Sequence, residues 1–549
     1  MRTSILAVAL LSAALPAQMT ALVNDPMSHG TLGDDKLSLD EAIRVMNLAL
    51  SYGQLSTQEQ SQMRGGPTSV LDTIEIDFNI TPVITIEPGK QLTHVEGDQI
   101  SHVDTNFYGL NGRPIIQGGT TPIVFEVNTN HFHLHDIIII GGQIGITFDT
   151  SKHYHFGRRG RLLRCLLVNQ TQIGYQVNVP SFPPGEILPL DFVDSVFDNM
   201  PVGIQVVDKG FSANLDLTGS NVTFQNCDTA IDIDVQGNSS QCALLWDRIK
   251  VTGAETGVRV RRPTQSSSVM DLRFVHSDIH ASKSGIDIEN SVIGAMNVAL
   301  HHLNVQAGPG TGDYAFRSYP ANGRIDLTVG ESVFNGNVLM QVGNVGAKLD
   351  VRGSRFENGS FGVSTTGPSG AFVQNVHESA PITVSSGSTK PLSFAACEFV
   401  RSSLVDQSAG TTSAYNCYFG SSTASGNVVN TAPAPARWIG RASVSPEDPP
   451  LGGQVDLSLD LQPDTAAAWM LGLAEPSPNI ALPQPRYMSF LVTIGIPGPF
   501  TAQSTLRLVI PNVSSLQGVE LYGQPVVFPI AGQPNVPLSF PRGGRFVIQ

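Results

Sequence analysis

Leu272-Arg273-Phe274, a polar bend, Ile279, and then Gly285-Ile286-Asp287-Ile288 form the stretch on which the fold turns. Two apolar residues alternate with charged ones, a bulky residue follows the bend, and a glycine opens a second alternating run, so the spacing predicts two short strands per unit. The pattern recurs in both directions. Its bulky rungs are Ile139, Val168, Phe197, Phe224, Val251, Ile279, Val305, Phe334, Phe356, Val376, Phe399 and Phe419, at intervals of 20 to 29 residues. One such unit cannot bury its own apolar face, so neighbours must stack. The fold expected is all-β: a right-handed parallel β-helix of about twelve or more coils.

Composition agrees. Gly 54 and Pro 36 in 549 residues, with 14% charged residues, suit many turns and buried strands. A net charge of −14 argues against nucleic acid as a partner, because phosphate binding needs clustered Lys and Arg.

At the N-terminus, Arg2 precedes an apolar run from Ile5 to Leu15, and Ala17 or Ala21 could end a signal peptide, placed at residues 1–21. That run is too short to span a bilayer, and no later stretch reads as transmembrane. A secreted or cell-surface protein is therefore expected. Ser38 and Glu41 then make a capping box for a helix from Leu39 to about Tyr52, with Leu39, Ile43, Met46 and Leu50 on one face. A helix ahead of a solenoid covers strand edges that would otherwise be exposed.

Leu37-Ser38-Leu39-Asp40-Glu41-Ala42-Ile43, Asp72-Thr73-Ile74, Pro114 to Gly118 and Ile137 to Gly142 resemble the opening of secreted β-helix proteins of the pectate-lyase-like superfamily, which carry an LSLREAI-type start. The resemblance covers roughly residues 37–150. It implies a capped parallel β-helix on an exported protein and no particular reaction. Residues 22–420 are assigned to this domain. Ser421 to Pro450, rich in Ser, Ala and Pro, reads as a linker. In 451–549, the strict alternation Val455 to Leu461 and strands at Phe490 to Ile496, Thr505 to Ile510 and Gln524 to Phe528 predict a small antiparallel β-sandwich. The run from Ile510 to Gln524 resembles a C-terminal module of secreted bacterial proteins, which implies sorting, surface association or packing.

The rungs fix a register. Residues five and seven before a rung point inward, among them Phe132 with Leu134, Leu190 with Phe192, Leu244 with Trp246, and Leu272 with Phe274. Residues four, six and eight before a rung face solvent: His131, His133 and His135, then Arg164, Asp191, Asp216, Asp247, Asp271 with Arg273, His301, Asp326, and Asp350 with Arg352. Charge is scarce in this chain yet gathers on this face. Polysaccharide is the expected partner, since chain and groove are both linear repeats. Catalysis, if present, is placed at the centre of the stripe, on Asp247, Asp271, Arg273, His301 and Asp326; His131, His133, His135, Arg164, Asp191, Asp216, Asp350 and Arg352 are assigned to substrate binding. Two carboxylates could hydrolyse a glycoside. Alternatively they could hold Ca²⁺ on a uronate while Arg273 or His301 abstracts a proton, as a lyase requires. A non-catalytic, adhesin-like or structural surface protein is the rival, its stripe being solvated surface only.

No signature chooses between these. Arg248-Ile249-Lys250 matches one piece of the polygalacturonase pattern without its companions. The imidazoles of His131, His133 and His135 spread over about 13 Å and cannot all reach one ion, so no metal site is assigned; His153 and His155 repeat their spacing. Arg158, Arg159, Arg161 and Arg164 make this end locally basic, with Arg161 oddly placed inward by the register. Cys397 and Cys417 fall at equivalent sites of adjacent coils, about 4.8 Å apart, as a disulfide or as stacked thiols. Cys227 and Cys242 could close a loop, and Cys165 stands in place of a polar residue at a bend.

Overall fold

The protein is described by a computed structural model covering residues 19–46, 49–65, 71–95, 105–128, 131–149, 159–179, 187–208, 214–236, 241–262, 269–291, 294–320, 323–343, 347–365, 370–388, 391–395, 397–415, 417, 419, 422–432, 442–445, 449–460, 465–472, 490–495, 503–517, 519–529 and 544–548. It divides into two compact units, Met1–Met296 and Asn297–Gln549. Each contains parallel strands stacked one coil upon the next, as expected of a parallel β-helix. In the first unit a front sheet includes His131–His135, Arg159–Leu163, Ile187–Val193, Asn214–Ser220, Gln241–Asp247 and Met270–Val275. A back sheet includes Ile138–Gly141, Leu166–Val168, Val196–Asp208, Thr223–Val235, Lys250–Arg262 and Asp278–Asn290.

The predicted inward residues are inward. Phe132, Leu134, Leu190, Phe192, Leu244, Trp246, Leu272 and Phe274 are all at most 1% exposed. Several rungs of the first unit fit gaps left by a glycine one coil away. A Cβ on Gly174 would stand 2.9 Å from the Phe197 ring and 2.8 Å from the Gly203 carbonyl. On Gly203 it would stand 2.7 Å from the Phe224 ring, and on Gly257 2.5 Å from Ile279 Cγ2. Real side chains do not approach so closely, so at these three rungs the residue opposite has to be glycine.

Two rungs shift by one residue. Leu167, not Val168, pairs in register with Ile139 and Phe197, and it is buried. This moves Arg161 to the outer face, opposite His133 and Asp191, and removes its anomaly. At the other position His377, not Val376, aligns with Phe356 and Phe399. Its ring stacks between theirs at centroid distances of 4.9 and 5.3 Å, within a file that continues to Phe334 and Phe419. Burial pushes the His377 pKa from 6.5 down to about 3, and neither ring nitrogen has a hydrogen-bond partner among the described residues.

Between the sheets the chain turns through left-handed residues: Asp136, Arg164, Asp194, Asn221, Arg248 and His276 have φ between 49° and 56°. Their N–H groups follow the solenoid, Arg164 donating to Val193 O and Asp194 to Ser220 O, each at 2.9 to 3.0 Å. Just inside the bend runs a spine of small polar side chains. Ser277 Oγ donates to Val275 O (2.8 Å) and accepts from Ile249 N (3.1 Å). Ser195 does the same for Val193 and Cys165. In the second unit Leu303 N, Ser332 N and Ser354 N donate to Ser332 Oγ, Ser354 Oγ and Asn375 Oδ1.

The predicted helix exists over Leu39–Met46, shorter than expected, and Ser38 and Glu41 form its capping box. It packs against the strands Met19–Val23, Leu71–Asp77 and Leu92–Val95. Met19–Val23 pairs in parallel with Leu71–Ile76, burying Ala21 and Val23 completely; the rest of the proposed leader lies outside the described residues. Part of the supposed linker is strand: Val428–Ala432 stacks in parallel on Thr412–Tyr415. Ser, Thr and Val can extend a ladder that bulky residues no longer mark. Beyond it are two antiparallel sheets, one of Ala442–Ser445, Gln454–Asp460 and Gln503–Val509, the other of Thr465–Gly472, Phe490–Gly495, Glu520–Pro529 and Gly544–Val547. Among the described residues no helix is long and apolar enough to cross a membrane.

Phe274→Ala empties a fully buried site and should cost about 3–5 kcal/mol; unchanged thermal unfolding would overturn the register. His377 makes a second, pH-dependent case. Its folded pKa of about 3 lies below the 6.5 of the unfolded chain, so between these values the unfolded state binds the extra proton and stability falls as pH falls. His377→Phe extends the stack and removes this loss, about 2 kcal/mol at pH 5. The variant's advantage in unfolding temperature should therefore widen from pH 7 to pH 5, and an equal advantage at both would refute the assignment.

Candidate functional site

Parallel pairing without slippage aligns outward side chains of the first unit's front sheet in rows along the stack. Asn106, His133, Arg161, Asp191, Thr218, Leu245 and Arg273 form one row. Tyr108, His135, Leu163, Val193, Ser220, Asp247 and Val275 form the next. On the other flank stand Pro189, Asp216, Ala243 and Asp271.

The less exposed part of this face runs from His133 to Thr218, whereas Leu245, Asp271 and Arg273 beyond it are exposed. His133 Nδ1 is 2.9 Å from Asn106 Oδ1, and His135 stacks on Tyr108 at 4.5 Å. Although it points outward, His135 is only 8% exposed. Burial, then the neighbouring His133, pushes its pKa from 6.5 down to about 4. Arg161 follows, its Nε buried without a hydrogen-bond partner among the described residues.

Asp191 accepts a short hydrogen bond from the Thr218 hydroxyl. Asp216 lies one strand over and two residues back, a diagonal that puts the two backbones roughly 8 Å apart. Burial raises the Asp216 pKa above the usual carboxylate range, and Asp191 raises it further. Its Oδ1 is buried without a partner among the described residues. A carboxyl of raised pKa beside a second carboxylate is an arrangement suited to acid–base chemistry. Leu163, Val193 and Leu245 give the same face an apolar floor.

The residues placed at the catalytic centre do not converge in this way. Asp247 is occupied by Arg248 (2.8 Å) and His276 (3.0 Å). It pairs with Val275, whereas Asp271 pairs with Ala243. Four residues of strand, about 13 Å, therefore separate their levels. Asp271 and Arg273 are exposed on one strand. In the second unit His301 lies against Gly330, whose added Cβ would meet the imidazole at 2.6 Å. Asp326 is gripped by Arg324 (2.6 Å) and accepts Lys348 N–H (2.6 Å). Asp350 is paired with Arg352 (2.7 Å). Arg164 leaves the strand face altogether, because the rung is Leu167; it sits in the turn and is ion-paired with Asp136 at 2.6 Å. His131 heads its strand, but its side chain, like His153, His155 and Arg158, lies outside the described residues.

The back sheet carries a second polar row that counting back from the rungs misses. Gln176, Gln205, Asp232, Arg259 and Asp287 align across coils. Arg259 grips Asp232 at 2.9 and 2.8 Å. Counting eight residues forward from Phe197, Phe224, Val251 and Ile279 finds four of the five. All five cysteines are buried free thiols; Cys227 and Cys242 belong to strands of different sheets. Among the described residues, no three His, Cys, Asp or Glu side chains are grouped to hold a metal ion. No family model matches the chain, and no curated protein matches it.

If Asp191 holds the Asp216 proton in place, Asp191→Asn should lower the Asp216 pKa while burial keeps it above the usual carboxylate range. Carboxyl-carbon NMR of Asp-labelled protein measures this; an unaltered Asp216 titration would remove the coupling.

Proposed function

We propose that this chain is an exported β-helix protein of pectate-lyase-like architecture that binds polysaccharide along the outer face of its first unit and hydrolyses a glycosidic bond there. The observation that carries the reading is Asp216, a half-buried carboxyl of raised pKa diagonal to Asp191 on a linear sheet face. Asp216 protonates the leaving oxygen, and Asp191, oriented by Thr218, draws a proton from water. The distance between the two carboxyl groups when substrate is bound decides between retention and inversion at the anomeric carbon. Arg161 and His133 supply donors to sugar oxygens, and Tyr108, Leu163 and Leu245 supply surface for the C–H faces of sugar rings.

Export fits a leader that ends at Ala17, because cleavage after Ala21 would remove most of the strand Met19–Val23. The two C-terminal sheets, packed as a sandwich, would provide surface association. A second reading, a non-catalytic surface protein, is favoured by one observation: Asp247, Asp326 and Asp350 are neutralised by cationic neighbours in the chain.

The test is a polysaccharide panel incubated with purified protein, with and without chelator, following reducing ends and unsaturated products. Asp191→Asn and Asp216→Asn should each reduce hydrolysis by about 10²–10⁴-fold and leave binding intact. Chelator should have no effect, whereas a Ca²⁺-dependent lyase would stop. Binding without cleavage selects the second reading.

A further inference from the structure

Near the C-terminal end of the β-helical stack, Cys397 and Cys417 continue the interior column that Ser332, Ser354 and Asn375 occupy in preceding coils. They repeat each other's surroundings one coil apart. Cys397 Sγ donates to Phe372 O and Ala395 O, both at 3.5 Å, and Cys417 Sγ donates to Phe394 O and Tyr415 O at 3.4 and 3.5 Å. Phe372 pairs in register with Phe394, and Ala395 with Tyr415, so one thiol is the other displaced by a single coil. The two thiols are close enough to influence one another electrostatically.

We infer that Cys397 and Cys417 form a disulfide when the protein folds in an oxidising compartment, stapling the last coils of the stack. The spacing between adjacent parallel strands, about 4.8 Å, lies within the range of Cα separations that a disulfide spans. Cys165 marks the contrast. It has the equivalent surroundings in a coil of the first unit, but its successor there is Ser195, so it has no thiol above it. Both cysteines are at most 1% exposed, and the bond therefore forms before the coil closes over them. The two thiols react with a disulfide oxidant such as oxidised glutathione: the Cys397–Cys417 S–S bond forms, the oxidant's S–S bond breaks, and two electrons and two protons leave with two glutathione thiols. Serine fits either position, because the column already uses it.

The experiment is refolding of reduced full-length protein in a glutathione redox buffer, then denaturation, alkylation and tryptic digestion. Cleavage after Arg401 separates the two cysteines, so the bond appears as two peptides joined across that site. Three alkylated cysteines, Cys165, Cys227 and Cys242, are expected, with the linked pair lost in Cys397→Ser and in Cys417→Ser. The oxidised protein should also unfold a few degrees above the same sample with reductant, a difference absent from both variants. Five alkylated cysteines in the folded, oxidised protein, or a linked pair of other cysteines, would overturn the inference. This outcome is independent of whether the outer face binds or cleaves a glycan.

Discussion

The structure depends on how little room lies between the facing sheets of a coil. A rung such as Phe197 or Phe224 enters space that a neighbouring coil keeps empty with Gly174 or Gly203. A methyl group at either glycine would meet both the ring and the next coil's carbonyl oxygen. Bulk and absence of bulk are thus one requirement expressed twice, and where they meet they pin the register of neighbouring coils. Slipping one residue would turn each rung outward and bring the charged face in. The rows of the outer face exist only because that slip is forbidden.

Register also explains how the outer face acquires its chemistry. Side chains one coil apart are fixed at the inter-strand spacing, so like charges meet unless the sequence alternates them. Opposite charges relieve this in two ways: Arg259 meets Asp232 one coil away, and Arg324 and Arg352 meet Asp326 and Asp350 two residues along the same strand. Asp191 and Asp216 depart from this habit. There a hydroxyl, rather than a cation, attends one carboxylate, and the other has a buried oxygen without a partner among the described residues. A face that elsewhere neutralises itself leaves two acids facing each other on the diagonal.

Most of the solenoid was legible because its signal is repeated. The eight inward positions named from the rungs, from Phe132 to Phe274, are buried. Misreadings arose where the local signal was degenerate. Leu166-Leu167-Val168 offers three apolar residues in a row, and alternation cannot choose among them. At His377 a search for apolar rungs passes over an imidazole that packs as a ring between two others. The candidate site was less legible. All of its residues stand at countable positions, but sequence spacing does not reveal that Asp247 is taken up by Arg248 and His276 whereas Asp216 is desolvated. That difference arises from side-chain direction, from His276 one coil on, and from burial, none of which a count along one chain records.

The spine of hydroxyl groups has a direction. In each pair the backbone N–H belongs to the earlier coil and the accepting side chain to the later one, as with Ile249 and Ser277, Leu303 and Ser332, and Ala380 and Ser402. Removing a coil from the C-terminal side therefore strands a buried donor in the coil left behind, whereas removing one from the N-terminal side strands only a hydroxyl that still bonds its own carbonyl. The two ends are unequal in the cost of fraying. A chain built this way resists being peeled from its C-terminus more than from its N-terminus, a mechanical polarity set by which partner of each bond carries the proton.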